Sequence, residues 1–158
     1  MTIRVIIIMG SGSDEAFTDP IVKTLEILGI EFERRVASAH KTPKKLLEII
    51  EKNEDKSPLV YITVAGLSNA LSGFVDANSV HPVIACPPTG DKFEVVDIFS
   101  SLRMPKGVNP LVVLKPENAA LGAAKILAIA DSALCRRLEI YQKERRQLIE
   151  KDDKKVRQ

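Results

Sequence analysis

The sequence predicts an α/β protein of three layers, with helices on both faces of a central parallel sheet of about five strands and a long helix near the C-terminal end. Three observations predict it. Aliphatic runs alternate along the chain with amphipathic stretches of helical period, the signature of repeated β-then-α units. Two of those runs, "IRVIIIMG" and "PLVYITVAG", are apolar almost without a break, as in strands covered on both faces. The chain has 158 residues, 45% hydrophobic and 28% charged, which is the size of one domain and enough apolar surface for a core.

The elements follow in order. After the first strand, "VKTLEILG" sets Val22, Leu25 and Leu28 at helical spacing, with Gly29 as the stop. "IEFERRVA" alternates well enough for a second strand. "TPKKLLEIIEKN" then predicts a helix with Thr42 as N-cap, Pro43 at its first position and Leu46, Leu47 and Ile50 on one face. The third strand, "PLVYITVAG", leads into "LSNALSGFVDAN", a helix anchored by Leu71, Phe74 and Val75, whose glycine permits close packing. "VHPVIACPP" is a fourth strand, restricted near its start by Pro82, and "PLVVLK" a fifth. Between these two, "PPTGDKFEVVDIFSSLRMPKG" reads as a long irregular segment around a short helix, either covering a pocket or making an oligomer contact. "PENAALGAAKILAIAD" is an alanine-rich helix whose small residues, Ala119, Ala120, Gly122, Ala123 and Ala124, let another helix approach closely, in either intrachain packing or an oligomer seam. A charged helix from about Asp131 to Asp153 follows, and "KDDKKVRQ" reads as a solvated tail. With right-handed crossovers this is a flavodoxin-like three-layer sandwich, one domain over 1–158 without repeats or internal linkers.

Composition narrows the function classes. A net charge of +2, from 23 basic and 21 acidic residues, leaves no chain-wide footprint for nucleic acid or an anionic membrane. The apolar start "MTIRVIIIMG" is too short for a membrane span and lacks a small-residue cleavage site, which predicts a cytosolic protein. Cys86 and Cys135 have no metal-binding or CxxC spacing and read as buried structural thiols. The two histidines lack a third ligand at sensible spacing, so no metal site is expected.

In an open parallel sheet, ligands gather at the carboxyl ends of the strands, near the point where strand order reverses. Three polar loops occupy such ends. "MGSGSD" offers Gly10 and Gly12 for close backbone approach, Ser11 and Ser13 as hydroxyls, and Asp14 either as a helix cap or as an acceptor for sugar hydroxyls. "SAHKTP" supplies Ser38 as a hydroxyl, Lys41 as a cation for phosphate, and His40 as an imidazole, the side chain suited to proton transfer near neutrality. His81, beside Pro82 at the start of a buried strand, reads as structural. "AGLSNALSG" adds Gly66, Ser68 and Asn69 at a helix start, where they either cap the helix or complete the pocket.

Taken together, "MGSGSD", "SAHKTP", "AGLSNALSGFVDA", "IACPP" and "SSLRMPKG" are similar in order and spacing to the PurE family of purine biosynthesis, from about Ile3 to Ala130. Within it the chain resembles the class II branch, the aminoimidazole ribonucleotide (AIR) carboxylases. Class I mutases have an arginine after "SAH" and a third loop "GGAAHLPG"; here Lys41 follows His40, and Ala70 stands where the second histidine would align. Class II members often have arginine where this chain has Leu67. The resemblance implies a cytoplasmic homo-octamer with sites at subunit junctions and the C-terminal helix reaching a neighbour. It implies reversible carboxylation of AIR at ring carbon C4 by carbon dioxide, without biotin, metal or ATP, and no cofactor. By the same correspondence His40 would move the C4 proton, and Ser11, Ser38 and Lys41 would hold the phosphate. Ser13 and Asp14 would hold the ribose, while Ser68 and Asn69 would line the carbon dioxide or carboxylate end. The alternatives are a class I mutase acting on the N5-carboxylated isomer, or a non-catalytic nucleotide- or flavin-binding module. The flavin version is disfavoured by two tyrosines and no tryptophan for stacking.

Overall fold

A computed structural model describes residues 4–88 and 94–157, apart from the side chains of 94 and 95. The described elements run β1 (Val5–Met9), α1 (Glu15–Ile27), β2 (Phe32–Val36), α2 (Pro43–Glu51), β3 (Val60–Val64), α3 (Ala70–Ala77), β4 (Val83–Ala85), α4 (Glu94–Leu102), β5 (Leu111–Val112), α5 (Pro116–Ala128) and α6 (Ser132–Val156). The five strands form one parallel sheet in the order β2-β1-β3-β4-β5, the flavodoxin-like arrangement. Strand order reverses at β1, which lies between β2 and β3.

The pleat divides the core. Val5, Ile7 and Met9 point to one face of β1 and are buried against Ile21 and Leu25 of α1, the alanines of α5 and Leu134 and Leu138 of α6. Ile6 and Ile8 point to the other, against Leu46 and Ile49 of α2 and Leu71 and Val75 of α3. Both faces of β1 and β3 are therefore covered, which is why these strands are apolar throughout. Edge strand β2 is half-exposed and keeps charge: Arg34 pairs with Asp19 at 3.0 Å and Arg35 with Glu33 at 2.8 Å.

Several expectations shift. The first helix begins at Glu15, well before Val22, and carries Pro20 inside it. In α2 the buried stripe is Leu46, Ile49 and Ile50, and Leu47 is only half-buried, because the residue after Leu46 is turned about 100° away. Thr42 occupies the N-cap position without capping: its Oγ1 accepts from Ser38 N–H at 2.9 Å and so closes the preceding loop. The fifth strand is two residues long, and the last helix continues to Val156, through most of the expected tail, with 151–157 exposed. Cys86 is buried as read, its thiol pushed up to about 12 by burial and by nearby Glu117, but Cys135 is exposed on the outer side of α6. The alanines of α5 are fully buried inside the chain and Ile84 packs on Gly122, so that stripe is intrachain packing. Part of "PPTGDKFEVVDIFSSLRMPKG" lies outside the described residues, but α4 is a regular helix within it and Met104 packs tightly on Gly73 of α3. His81 sits at the far end of the sheet, its Nε2 3.0 Å from the Glu54 carbonyl and its ring against Tyr61. No described helix is long and apolar enough to cross a membrane.

Candidate active site

The three loops meet above the carboxyl ends of β2, β1 and β3, around a cavity of about 670 Å³, within the range of small-molecule sites. Gly10 leaves β1 with its N–H on the Val64 carbonyl at 2.8 Å, and a Cβ there would meet the Ala65 side chain at 3.3 Å. The first and third loops can approach so closely because this position has no side chain.

A single 3-10 turn over Gly12–Asp14 then opens α1. Ser11 Oγ accepts from Ser13 N–H at 3.3 Å and from Ser13 Oγ at 2.9 Å, and Asp14 reaches back to accept the Ser11 N–H at 3.2 Å. Burial pushes the Asp14 carboxyl above its ordinary value, and the Ser11 bond partly opposes this. Asp14 thus closes the turn and also lines the cavity, as do Gly10, Ser11 and Ser13.

In the second loop Ser38 Oγ accepts the Lys41 N–H at 3.2 Å, and Ser38 C=O accepts the Thr42 N–H at 2.9 Å. These bonds hold a compact turn that presents Ser38, His40 and Lys41 to the cavity at the start of α2. His40 is exposed, and no described residue hydrogen-bonds its ring.

The third loop brings Gly66 and Ser68 to the wall, with Leu67 between them. Leu67 is held at φ 54°, unusual for a branched side chain, and is 65% exposed. Asn69 does not line the cavity. It is buried beneath the loop, where Oδ1 accepts from Ser72 N–H at 3.2 Å and Ser72 Oγ at 3.0 Å and Nδ2 donates to Ser101 Oγ at 2.9 Å. Of the residues singled out from sequence for the pocket, Gly12 and Asn69 are outside it: Gly12 lies within the turn before α1, where no close approach needs a glycine, and Asn69 serves as the cap of α3.

Sequence reasoning missed the far wall, formed by Pro88 after β4 and Asp97 of α4. Nothing local marks Asp97 as a site residue; the one available signal was its place on a helix inside a segment long enough to cover a pocket. Beside Gly66 and Leu67 a recess of about 20 Å³ opens between Ala65, Pro87, Pro88 and Ile98, with Asp97 and Ser101 at its wall. Its walls are mostly apolar and its volume admits one molecule of a few atoms.

The start of α1 and its leading turn, the start of α2 and the start of α3 all face this cavity. The dipoles of these helices favour an anion there. Lys41 adds a full positive charge at one side and Asp97 a carboxylate at the other.

Comparison with known proteins fits this geometry. Residues 4–148 match the family model described as AIR carboxylase. The chain is 52% identical over 154 residues to phosphoribosylaminoimidazole carboxylase of Archaeoglobus fulgidus, covering 98% of this chain and 85% of that one. It is 45% identical over 154 residues to the Treponema denticola protein of the same name, covering 97% of each. The crystal structure of Treponema denticola PurE superposes with a TM-score of 0.94 at 44% identity over 98% of both chains. A sheet of this order, a cavity at its reversal point and a family match over nearly the whole chain agree: the chain belongs to the AIR carboxylase family, and it is an enzyme of purine biosynthesis.

Proposed function

We propose that the enzyme carboxylates AIR reversibly at C4 with carbon dioxide, giving 4-carboxy-AIR without ATP, metal or cofactor. The single observation that carries this reading is His40, an imidazole with no protein partner among the described residues, presented to a cavity that several helix starts and Lys41 make attractive to a phosphate. AIR supplies both the phosphate and an electron-rich ring. Its amine lone pair pushes into the ring, C4 attacks the carbon of carbon dioxide, and one C=O electron pair moves to oxygen to make the carboxylate. His40 takes the proton from the now tetrahedral C4, the C–H electrons restore the aromatic ring, and the proton leaves to solvent. The reverse reaction uses the same imidazole as acid. Holding the two reactants together supplies much of the rate.

Ser11, Ser38 and Lys41 hold the phosphate in this reading, and Ser13 and Asp14 the ribose. Gly66 and Ser68 stand at the carbon dioxide end, beside the apolar recess whose size suits a small uncharged molecule. Asn69 acts from below by capping α3. The class II assignment rests on Lys41 and on the third loop, where Ala70 lines the cavity in place of a second histidine. The enzyme works in the cytoplasm as a single-domain subunit of a homo-octamer. In support, α6 extends well beyond its two buried leucines with Ile140 and Ile149 in solvent.

The test is turnover of purified protein with AIR and bicarbonate-derived carbon dioxide, without ATP, beside a reaction supplied only with the N5-carboxylated isomer. Product from AIR is the expected result. Turnover of the isomer alone would make the protein a class I mutase with an altered third loop, and a nucleotide-binding module would turn over neither.

A further inference from the structure

Asp97, Ser100 and Ser101 lie at i, i+3 and i+4 on one face of α4. Ser100 Oγ accepts from Asn69 N–H at 3.0 Å and lies 3.0 Å from the Leu67 carbonyl, while Ser101 Oγ accepts from Asn69 Nδ2. These bonds fasten α4 to the third loop. One turn earlier on the same face, Asp97 is held over the cavity beside Leu67 and Pro88, and among the described residues no side chain bonds its carboxylate.

The order of the strands fixes where this carboxylate stands. Lys41 follows β2 at one side of the cavity, and Asp97 stands with Pro88 at the end of β4, three strands across. At about 4.8 Å per strand this is roughly 14 Å. A cation with hydroxyls at one side and a carboxylate at the other suits a ligand with an anion at one end and an N–H donor at the other. AIR is such a molecule, with a phosphate at one end and an exocyclic amine on its ring at the other.

We infer that Asp97 is a specificity-determining residue: its carboxylate accepts an N–H from the substrate's exocyclic amine and repels the same ring when that nitrogen carries a carboxylate. The inference rests on the proposed reading of the substrate and adds the group that selects between its two carboxylation isomers. A carboxylate on an amine makes a charge-assisted bond. When C4 attacks carbon dioxide, the amine nitrogen gives electron density to the ring and turns positive, so the bond strengthens toward the transition state. With the N5-carboxylated isomer the same position sets two negative charges against each other across a cavity partly shielded from water, and specificity comes from this repulsion as much as from the attraction.

The experiment compares the full-length wild type with Asp97→Asn and Asp97→Glu, measuring kcat and KM for AIR, inhibition by the N5-carboxylated isomer, and thermal midpoint. For Asp97→Asn, kcat/KM for AIR should fall about 10- to 100-fold, the size of a lost hydrogen bond to a charged group. The isomer should inhibit several-fold more tightly, and Asp97→Glu should recover part of the AIR turnover. Changes of opposite sign for the two ligands cannot come from general loosening of the loop, so the ratio is decisive even if the midpoint moves. An unchanged ratio, or equal loss for both ligands, overturns the role of Asp97. Failure of the wild type itself to carboxylate AIR overturns instead the proposed reaction.

Discussion

His40 and Tyr61 show how differently a polar ring can be used at the two ends of one sheet. His40 is exposed in a turn closed by Ser38 and Thr42, so its removal should leave the fold intact. His40→Ala should lower turnover by about 10²- to 10⁴-fold, the usual contribution of a general acid–base, with an unchanged thermal midpoint; near-normal turnover would remove the proton-transfer role. Tyr61 is fully buried, and its hydroxyl has no partner among the described residues. Burial, with a smaller contribution from Glu54, pushes its phenol up to about 12. Because the folded value lies above the unfolded one of about 10, stability is fully present below pH 10 and declines as pH rises from there to about 12. Tyr61→Phe keeps the ring and removes the orphaned hydroxyl, so chemical denaturation at pH 7 should show unchanged stability or a gain of about 1 kcal/mol. Between pH 10 and 12 the variant should decline less steeply than the wild type. Loss of more than about 1 kcal/mol at pH 7 would mean that the hydroxyl has a structural partner.

At the scale of elements, legibility followed burial. β1 and β3 could be read because both of their faces are covered, and β2 because an edge strand keeps charge on its open side. The ends of α1 and α2 were less legible: a proline within a helix and a threonine used to close a loop each follow a tertiary contact that local sequence does not show. The start of α6 was legible to one residue, and its cap is testable. Asp131 Oδ1 accepts the Leu134 N–H at 2.9 Å and Oδ2 pairs with Arg4 at 2.6 Å, tying the last helix to the beginning of β1. The Leu134 bond first, and the Arg4 bond second, hold this carboxyl below its ordinary value. A depressed folded value means stability that is present above the unfolded value, about 4, and lost as pH falls below it. Asn caps helices as well as Asp, whereas Ala does not. At pH 7 the thermal midpoints should therefore rank wild type, Asp131→Asn, Asp131→Ala, each step a few degrees. The first gap should narrow below pH 4, where the wild type also loses its charge. An equal gap at both pH values would show that Arg4 contributes nothing.

For the molecule as a whole, the lining of the cavity was legible wherever a loop directly follows a strand and illegible where packing brings a remote element to it. His40, Lys41 and Ser68 each lie next to a strand end, while Asp97 arrives on a helix fastened by Ser100 and Ser101 to Asn69. Assembly lies further still from local pattern, and α6 is where it can be tested. At 1.5 Å per residue its 25 residues extend roughly 37 Å, yet only Leu134 and Leu138 near its start are buried, with Tyr141 packed at the margin of the core. An isolated stretch of helix with Ile140, Leu148, Ile149 and Val156 in solvent gains little from its own chain. If it lies against a neighbouring subunit, deletion of 142–158 removes intersubunit contact and spares the subunit core. Light scattering should then give a mass about eight times 17.4 kDa for the full chain and a smaller assembly for the truncated one, with a matching loss of AIR turnover where the sites lie at subunit junctions. A monomeric full chain, or an octamer that survives truncation unchanged, would leave α6 a solvated helix and move the assembly contacts elsewhere, the exposed Val96, Phe99 and Leu102 of α4 being the next apolar face to examine.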